Sequence, residues 1–154
     1  MVRRLAVVLL LLAQAGAARA QNAGLVTTRS THSVAETVAR FAHAVRAQGW
    51  VVFTEIDHAA AARSVGLTLP ARIVIFFGNP AAGTAAMLDH PSLALDLPMR
   101  VLVWQDADGA VFITRSTGAD VGTRVFARHG LTLPAQVLRE NEAFFADLAS
   151  TAAN

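Results

Sequence analysis

The chain has 154 residues, 54% of them hydrophobic and 16% charged, with no Cys and no Tyr. One domain's length and a core-forming composition exclude a disordered chain, and the absence of Cys excludes disulfides, thiolate metal sites, a cysteine nucleophile and a lipidated N-terminal Cys. All 13 basic residues are Arg; Arg3, Arg4 and Arg19 precede Gln21, and the 10 that follow face 11 acidic residues, a formal charge of −1. A near-neutral domain lacks the clustered cations that displace counterions from nucleic acid, so no DNA or RNA partner is expected.

Arg3-Arg4, the apolar run Leu5–Ala13 and the small-x-small triplet Ala18-Arg19-Ala20 follow one another in the order of a secretory signal peptide. Cleavage after Ala20 is expected, giving a periplasmic or secreted protein exported by the general or the twin-arginine route. The run is shorter than the about 20 apolar residues that span a bilayer, so no membrane attachment is expected once the leader is gone. An uncleaved anchor is the alternative reading. Residues 1–20 are thus read as leader, 21–149 as a single domain and 150–154 as a frayed tail.

Gly24–Arg29, with Val26, Thr27 and Thr28, predicts a first strand. Ser33 and Glu36 fit a capping box, and Val34, Val38, Phe41 and Val45 form one face of a helix that Gly49 ends. Trp50–Ile56 predicts a second strand, and Asp57 an N-cap for a short helix that stops at Gly66. Ala71–Phe77 is apolar nearly throughout, which predicts a central, covered strand. Asn79-Pro80 opens a helix over Ala81–Leu88, with Pro where its missing N–H costs nothing. Pro91 and Pro98 bracket a loop with one helical turn at most. Met99–Gln105 and Val111–Ser116, joined by Asp106-Ala107-Asp108-Gly109, predict a hairpin. Asp120–His129 and Ala135–Ala149 complete the helices. The pattern is an α+β single domain, with an about five-stranded, mostly antiparallel sheet and helices on one face. A parallel sheet is the alternative, because a helix joins the second and third strands.

The segments Phe76-Phe77-Gly78-Asn79-Pro80-Ala81-Ala82-Gly83-Thr84, Leu95-Asp96-Leu97-Pro98-Met99-Arg100-Val101-Leu102-Val103-Trp104, Asp57-His58 and Arg128-His129-Gly130-Leu131 together resemble the domain of unknown function 302 family. The resemblance implies a compact α+β domain, often a homodimer, and no established activity. Many members carry Tyr, then Asn or Asp, then Pro, at the end of the strand matching Val111–Ser116. Here Arg115-Ser116-Thr117 stand there, so no role for that tyrosine carries over.

Each candidate site has a chemical reading and a structural one. Gly78-Asn79-Pro80 is either a ligand loop, since amides at a helix N-terminus favour anions, or a capped turn. Asp57-His58 is either an acid–base pair or an N-cap beside an unrelated imidazole. Asp96 and Arg100 are either an oriented guanidinium for a carboxylate or phosphate or a salt bridge fixing the loop. His32, His43, His90 and His129 show no HxH, HxxxH or HExxH spacing, so no local metal motif and no cofactor is expected; a site assembled from His58 and His90 is the remaining metal alternative. The favoured function is a binding module for a small anionic ligand, or a homodimerising one, using Gly78, Asn79, Pro80, Asp96 and Arg100. The alternative is a hydrolase- or isomerase-like enzyme with His58 and Asp57 as acid–base groups, which requires His58, Asp96 and Arg100 to converge in one cleft.

Overall fold

The computed structural model describes residues 24–154; the expected leader lies outside them. The elements are β1 (Leu25–Ser30), α1 (Val34–Ala47), β2 (Val51–Asp57), α2 (His58–Ser64), β3 (Arg72–Gly78), α3 (Pro80–Asp89), a 3-10 turn (Pro91–Leu95), β4 (Met99–Gln105), β5 (Val111–Ser116), α4 (Gly118–Asp120) continuing into a π-helical stretch (Val121–Phe126) and a 3-10 turn (Ala127–His129), and α5 (Ala135–Ala153). The sheet order is β1-β5-β4-β3-β2. Every neighbouring pair is antiparallel. The parallel alternative is therefore excluded: β2 and β3, although joined through α2, pair from Val51↔Gly78 to Asp57↔Ile73.

Local chemistry sets these bounds. The Ser33 side chain accepts from the Glu36 amide at 3.2 Å, satisfying one free donor at the start of α1. The other half of the expected capping box is replaced by a contact between Glu36 Oε1 and His32 Nδ1 at 3.1 Å. Gly49 follows α1 at a φ of 72°, a left-handed conformation that costs glycine nothing.

Alternate residues of the strands build the core. Ile75, Phe77, Val101, Val103, Val111 and Ile113 are buried on one face, against Val38, Phe41 and Val45 of α1 and Phe145, Leu148, Ala149 and Ala152 of α5. Phe41 meets Phe77 edge-on with ring centroids 5.2 Å apart. Burying each large side chain contributes about 1.5–3 kcal/mol. α1 and α5 thus lie on one face, as the fold class predicts.

The opposite face carries Val74, Phe76, Leu102, Trp104 and Phe112, half-buried, with Phe53 and Ile56 exposed on β2. Trp104 stacks on Phe112 at 4.8 Å, and its Nε1 donates to Thr114 Oγ1 at 2.8 Å. β3 is therefore interior but second from the edge, and among the described residues only one of its faces is fully buried. Its apolar run reflects an outer sheet face that is itself apolar.

Two segments differ from expectation. The regular helix predicted over Asp120–His129 is an α-turn, a π-helical stretch and a 3-10 turn. Gly118 and Gly122 draw this segment against α5: a Cβ on Gly118 would stand 2.4 Å from the Leu138 carbonyl oxygen, and one on Gly122 would stand 2.5 Å from Leu138 Cδ2. The tail expected to fray after Ala149 continues α5 to Ala153. Ala152 and Ala153 are fully buried. The Thr31 amide and hydroxyl donate to the Ala153 carbonyl at 2.9 and 3.0 Å, and Arg40 donates to the Thr151 carbonyl at 3.1 Å.

Candidate functional site

Antiparallel pairing gives the sheet two ends. Leu25, Val51, Gly78, Met99 and Ser116 stand at one; Ser30, Asp57, Arg72, Gln105 and Val111 stand at the other. The first end is where β3 leaves for α3 and the 91–95 turn, and where β5 leaves for the helical segment 118–129. Polar chemistry gathers between those two connections.

Asp96 follows the 91–95 turn. Its Oδ2 lies 2.5 Å from His129 Nε2 and 3.3 Å from Arg128 Nη1. Across the ring, His129 Nδ1 lies 2.8 Å from Ser92 Oγ. His90 Nδ1 donates to the His129 carbonyl at 3.0 Å. The side chains of His129 and Asp96 are 4% and 13% exposed. The hydrogen bond from His129 holds the Asp96 carboxyl below its ordinary value. Burial opposes this, and the charges of Arg128, His129 and Arg100 add to it. An ionised Asp96 accepts from Nε2–H, which places Nδ1, the other ring nitrogen, toward the Ser92 hydroxyl.

Beside this network is a cavity of about 230 Å³, whose polar lining is Asp96, Arg100, Ser116, Asp120, Arg124 and Arg128 over Met99, Val121 and Val125. Arg124 Nε pairs with Asp120 Oδ1 at 2.9 Å. Arg100 makes no ion pair among the described residues. A void of about 10 Å³ shares Met99, Arg100, Ser116 and Val121 with the cavity and reaches Arg115. Arg115 is the penultimate residue of β5. Its side chain is 8% exposed and pairs through Nη2 with Glu142 Oε1 at 2.7 Å. Glu142 Oε2 accepts from the Gly118 amide at 2.5 Å. The Arg115 hydrogen bond depresses the Glu142 carboxyl against the cost of burial, with help from the Gly118 amide. Arg115 Nε is buried and has no partner among the described residues.

The sequence candidates divide. Asp96 and Arg100 both line the cavity, but they do not form the expected salt bridge with each other. The turn directs Asp96 to His129 and Arg128, while Arg100 is the second residue of β4, paired in register with Phe76. Gly78, Asn79 and Pro80 stand at the same strand end, outside the cavity wall. Asn79 Oδ1 accepts from the Ala81 and Ala82 amides at 3.0 and 3.2 Å, so the first amides of α3 are already satisfied and the capped-turn reading describes this loop. A Cβ on Gly78 would stand 3.7 Å from Pro98 Cβ, and one on Gly83 of α3 3.8 Å from Leu97 Cδ1; the loop and α3 thus lie beside the residues that lead from Asp96 to Arg100.

Asp57 and His58 stand at the other end of the sheet, exposed. Asp57 Oδ1 accepts from the Ala60 amide at 2.9 Å and caps α2, and Oδ2 lies 3.8 Å from Arg63. His58, Asp96 and Arg100 do not converge, and His90 joins His129, not His58. Sequence reasoning missed Ser92, Asp120, Arg124, Arg128 and His129 as site residues. Arg128 and His129 stood in one of the family-like segments, but no spacing rule ties that segment to Asp96.

The model of the family described as "Domain of unknown function DUF302" matches residues 26–147. The chain belongs to this family. A family member from Bacillus stearothermophilus, an uncharacterized conserved protein of known crystal structure, superposes with a TM-score of 0.69 at 15% identity, covering 85% of this chain and 99% of that one; this shows the shared fold. A Brucella suis biovar 1 (strain 1330) protein named fluoride-specific ion channel FluC 1 is 44% identical over 116 residues, 75% of this chain and 44% of that protein. The protein of that name from Brucella abortus biovar 1 (strain 9-941) is also 44% identical, over 42% of its length. The chain therefore spans less than half the length of these curated relatives. Among the described residues, no helix is long and apolar enough to cross a membrane.

Proposed function

We propose that this DUF302 domain is an exported binding module, periplasmic or secreted after cleavage behind Ala20, whose ligand is a small anion held in the cavity at the Ser116 end of the sheet. The observation that carries the reading is the lining: Arg100, Arg124 and Arg128 against Asp96 and Asp120. Two guanidinium groups there are anchored by carboxylates, while Arg100 makes no ion pair among the described residues. A guanidinium recognises carboxylate or phosphate through paired N–H donors. Asp96 and Asp120 orient Arg128 and Arg124, and Gly78 of the Gly78-Asn79-Pro80 turn contributes indirectly by lying beside Pro98. The Brucella relatives' name adds fluoride to the anions worth testing.

Thermal shift with phosphate, sulfate, acetate, succinate and fluoride tests this. A ligand at 100 times its Kd stabilises by about 2.7 kcal/mol. At least one anion raises the Tm of the native protein, and Arg100→Met removes that rise. No shift with any of them at 10 mM overturns the reading.

The outer sheet face favours a second role, homodimerisation. Val74, Phe76, Leu102, Trp104 and Phe112 form an apolar surface of a kind antiparallel sheets usually leave polar when solvated. Sedimentation of the protein at micromolar concentration yields a dimer that Leu102→Glu dissociates; a monomeric native protein removes this role.

A further inference from the structure

Beyond anion binding, the structure assigns Ser92, His129 and Asp96 as a hydrolytic unit for small carboxylic esters, with Ser92 as nucleophile, His129 as general base and Asp96 as the residue that positions His129. The unit shares Asp96 with the arginine cavity, but its reacting edge is the opposite one of the His129 ring, where Nδ1 meets Ser92. Nucleophile and base are in hydrogen-bond reach, Ser92 Oγ to His129 Nδ1 at 2.8 Å. Base and orienter are in reach as well, His129 Nε2 to Asp96 Oδ2 at 2.5 Å. These are the two contacts by which an activated serine is recognised, irrespective of order in the chain.

The surroundings favour one proton arrangement. Asp96 is flanked by Arg128, so its carboxylate is the acceptor and His129 Nε2 the donor. In the neutral ring, Nδ1 then faces the Ser92 hydroxyl as an acceptor. The main chain that carries the ring is held from two sides: His90 Nδ1 donates to the His129 carbonyl, and Gly130 turns the chain at a φ of 82°. Burial of His129 keeps water from competing for either nitrogen, whereas Ser92 stands exposed on its 3-10 turn, open to an ester arriving from solvent. His129 brings together two segments 37 residues apart.

The reaction balances with water alone. Ser92 Oγ bonds to the ester carbonyl carbon while its proton passes to His129 Nδ1. Collapse of the tetrahedral adduct breaks the carbon–alkoxy bond, and the departing alcohol takes that proton. Water then gives a proton to Nδ1 and attacks the acyl carbon. The Oγ–carbon bond breaks, Ser92 recovers the proton, and the products are an acid and an alcohol.

Two measurements test this. Purified protein is incubated with an alkyl fluorophosphonate, and the adduct is located by peptide mass spectrometry. One adduct forms, at Ser92; it is absent in Ser92→Ala, and its rate falls by about 100-fold or more in His129→Gln, the lower range for loss of a general base. No adduct at Ser92, or one that forms as fast in a folded His129→Gln protein, overturns the assignment. Ser92→Cys supplies a second readout that requires no change to a buried residue. The chain has no other Cys, so iodoacetamide reports on that position alone. An imidazole at Nδ1 distance sustains thiolate at pH 6, and alkylation there proceeds within about threefold of its rate at pH 8.5. An ordinary thiol, with a pKa of about 8.5, slows on the order of 100-fold over the same interval; that profile also overturns the assignment.

Discussion

Glu142→Gln is the substitution whose effect the structure fixes most closely. Both carboxylate oxygens of Glu142 accept, one from the Arg115 guanidinium at 2.7 Å and one from the Gly118 amide at 2.5 Å. A Gln offers one oxygen and one NH₂, so one of those donors faces another donor. A hydrogen bond to a charged group is worth about 1.5–3 kcal/mol, and removing one partner of a buried ion pair costs about 3–5 kcal/mol. The Arg115 side chain is 8% exposed but that of Glu142 is 40% exposed, so water screens the pair and the expected loss is about 2–3 kcal/mol. Urea unfolding at pH 7 measures it directly. The folded-state value of Glu142 is depressed below its ordinary value, so its contribution is complete above the unfolded pKa of about 4.3 and is lost as pH falls through the folded one. The gap between native and variant protein is therefore constant from pH 6 to 8 and narrows below pH 4. Pairing the change with Arg115→Met gives a double variant less destabilised than the sum of the singles, by about 1–2 kcal/mol. A gap at pH 7 below about 0.5 kcal/mol, or one that persists undiminished at pH 3, would refute this account.

Two further outcomes follow from close packing around α5. Gly118→Ala destabilises by more than Gly122→Ala, because the new methyl meets the Leu138 carbonyl in the first case and the movable end of the Leu138 side chain in the second; overpacking of this kind costs about 1–3 kcal/mol, and thermal unfolding ranks the two. Deleting residues 150–154 removes the buried Ala152 and Ala153 and the acceptors of Thr31 and Arg40, a loss of about 3 kcal/mol at about 1 kcal/mol per hydrogen bond, seen as a lower urea midpoint. An unchanged midpoint would mean that the tail frays after all.

Much of the fold was legible because its signals are local. The hairpin of β4 and β5 was read with its observed bounds, since β-rich runs on either side of an Asp/Gly turn report their own pairing. Ser33, Asp57 and Asn79 were read as caps and each accepts from the amides of its own helix, for the same reason. What failed depended on partners far along the chain. Val74 and Phe76 look like a covered strand from either face, and only the sheet order and helix placement reveal that their face is half-buried among the described residues. Ala152 and Ala153 look like a frayed end because nothing in the last residues announces Thr31. The site was half legible. Asp96 and Arg100 were singled out as a pair four residues apart, yet the partner of Asp96 is His129, 33 residues away, and no periodicity links the two. Asp57-His58 drew attention as an adjacent acid and base, although sequence neighbours at a strand end seldom face each other.

The docked C-terminus has a practical corollary. Ala153 is tied to Thr31, next to the β1 residue Ser30, at the strand end opposite Ser116, so the clamp and the arginine cavity occupy opposite poles of the sheet. Motions that widen the arginine pole need not loosen the clamp, and the two regions are free to exchange amide protons at different rates. A fluorophore carried on Asn154 would then sense global unfolding while remaining deaf to ligand.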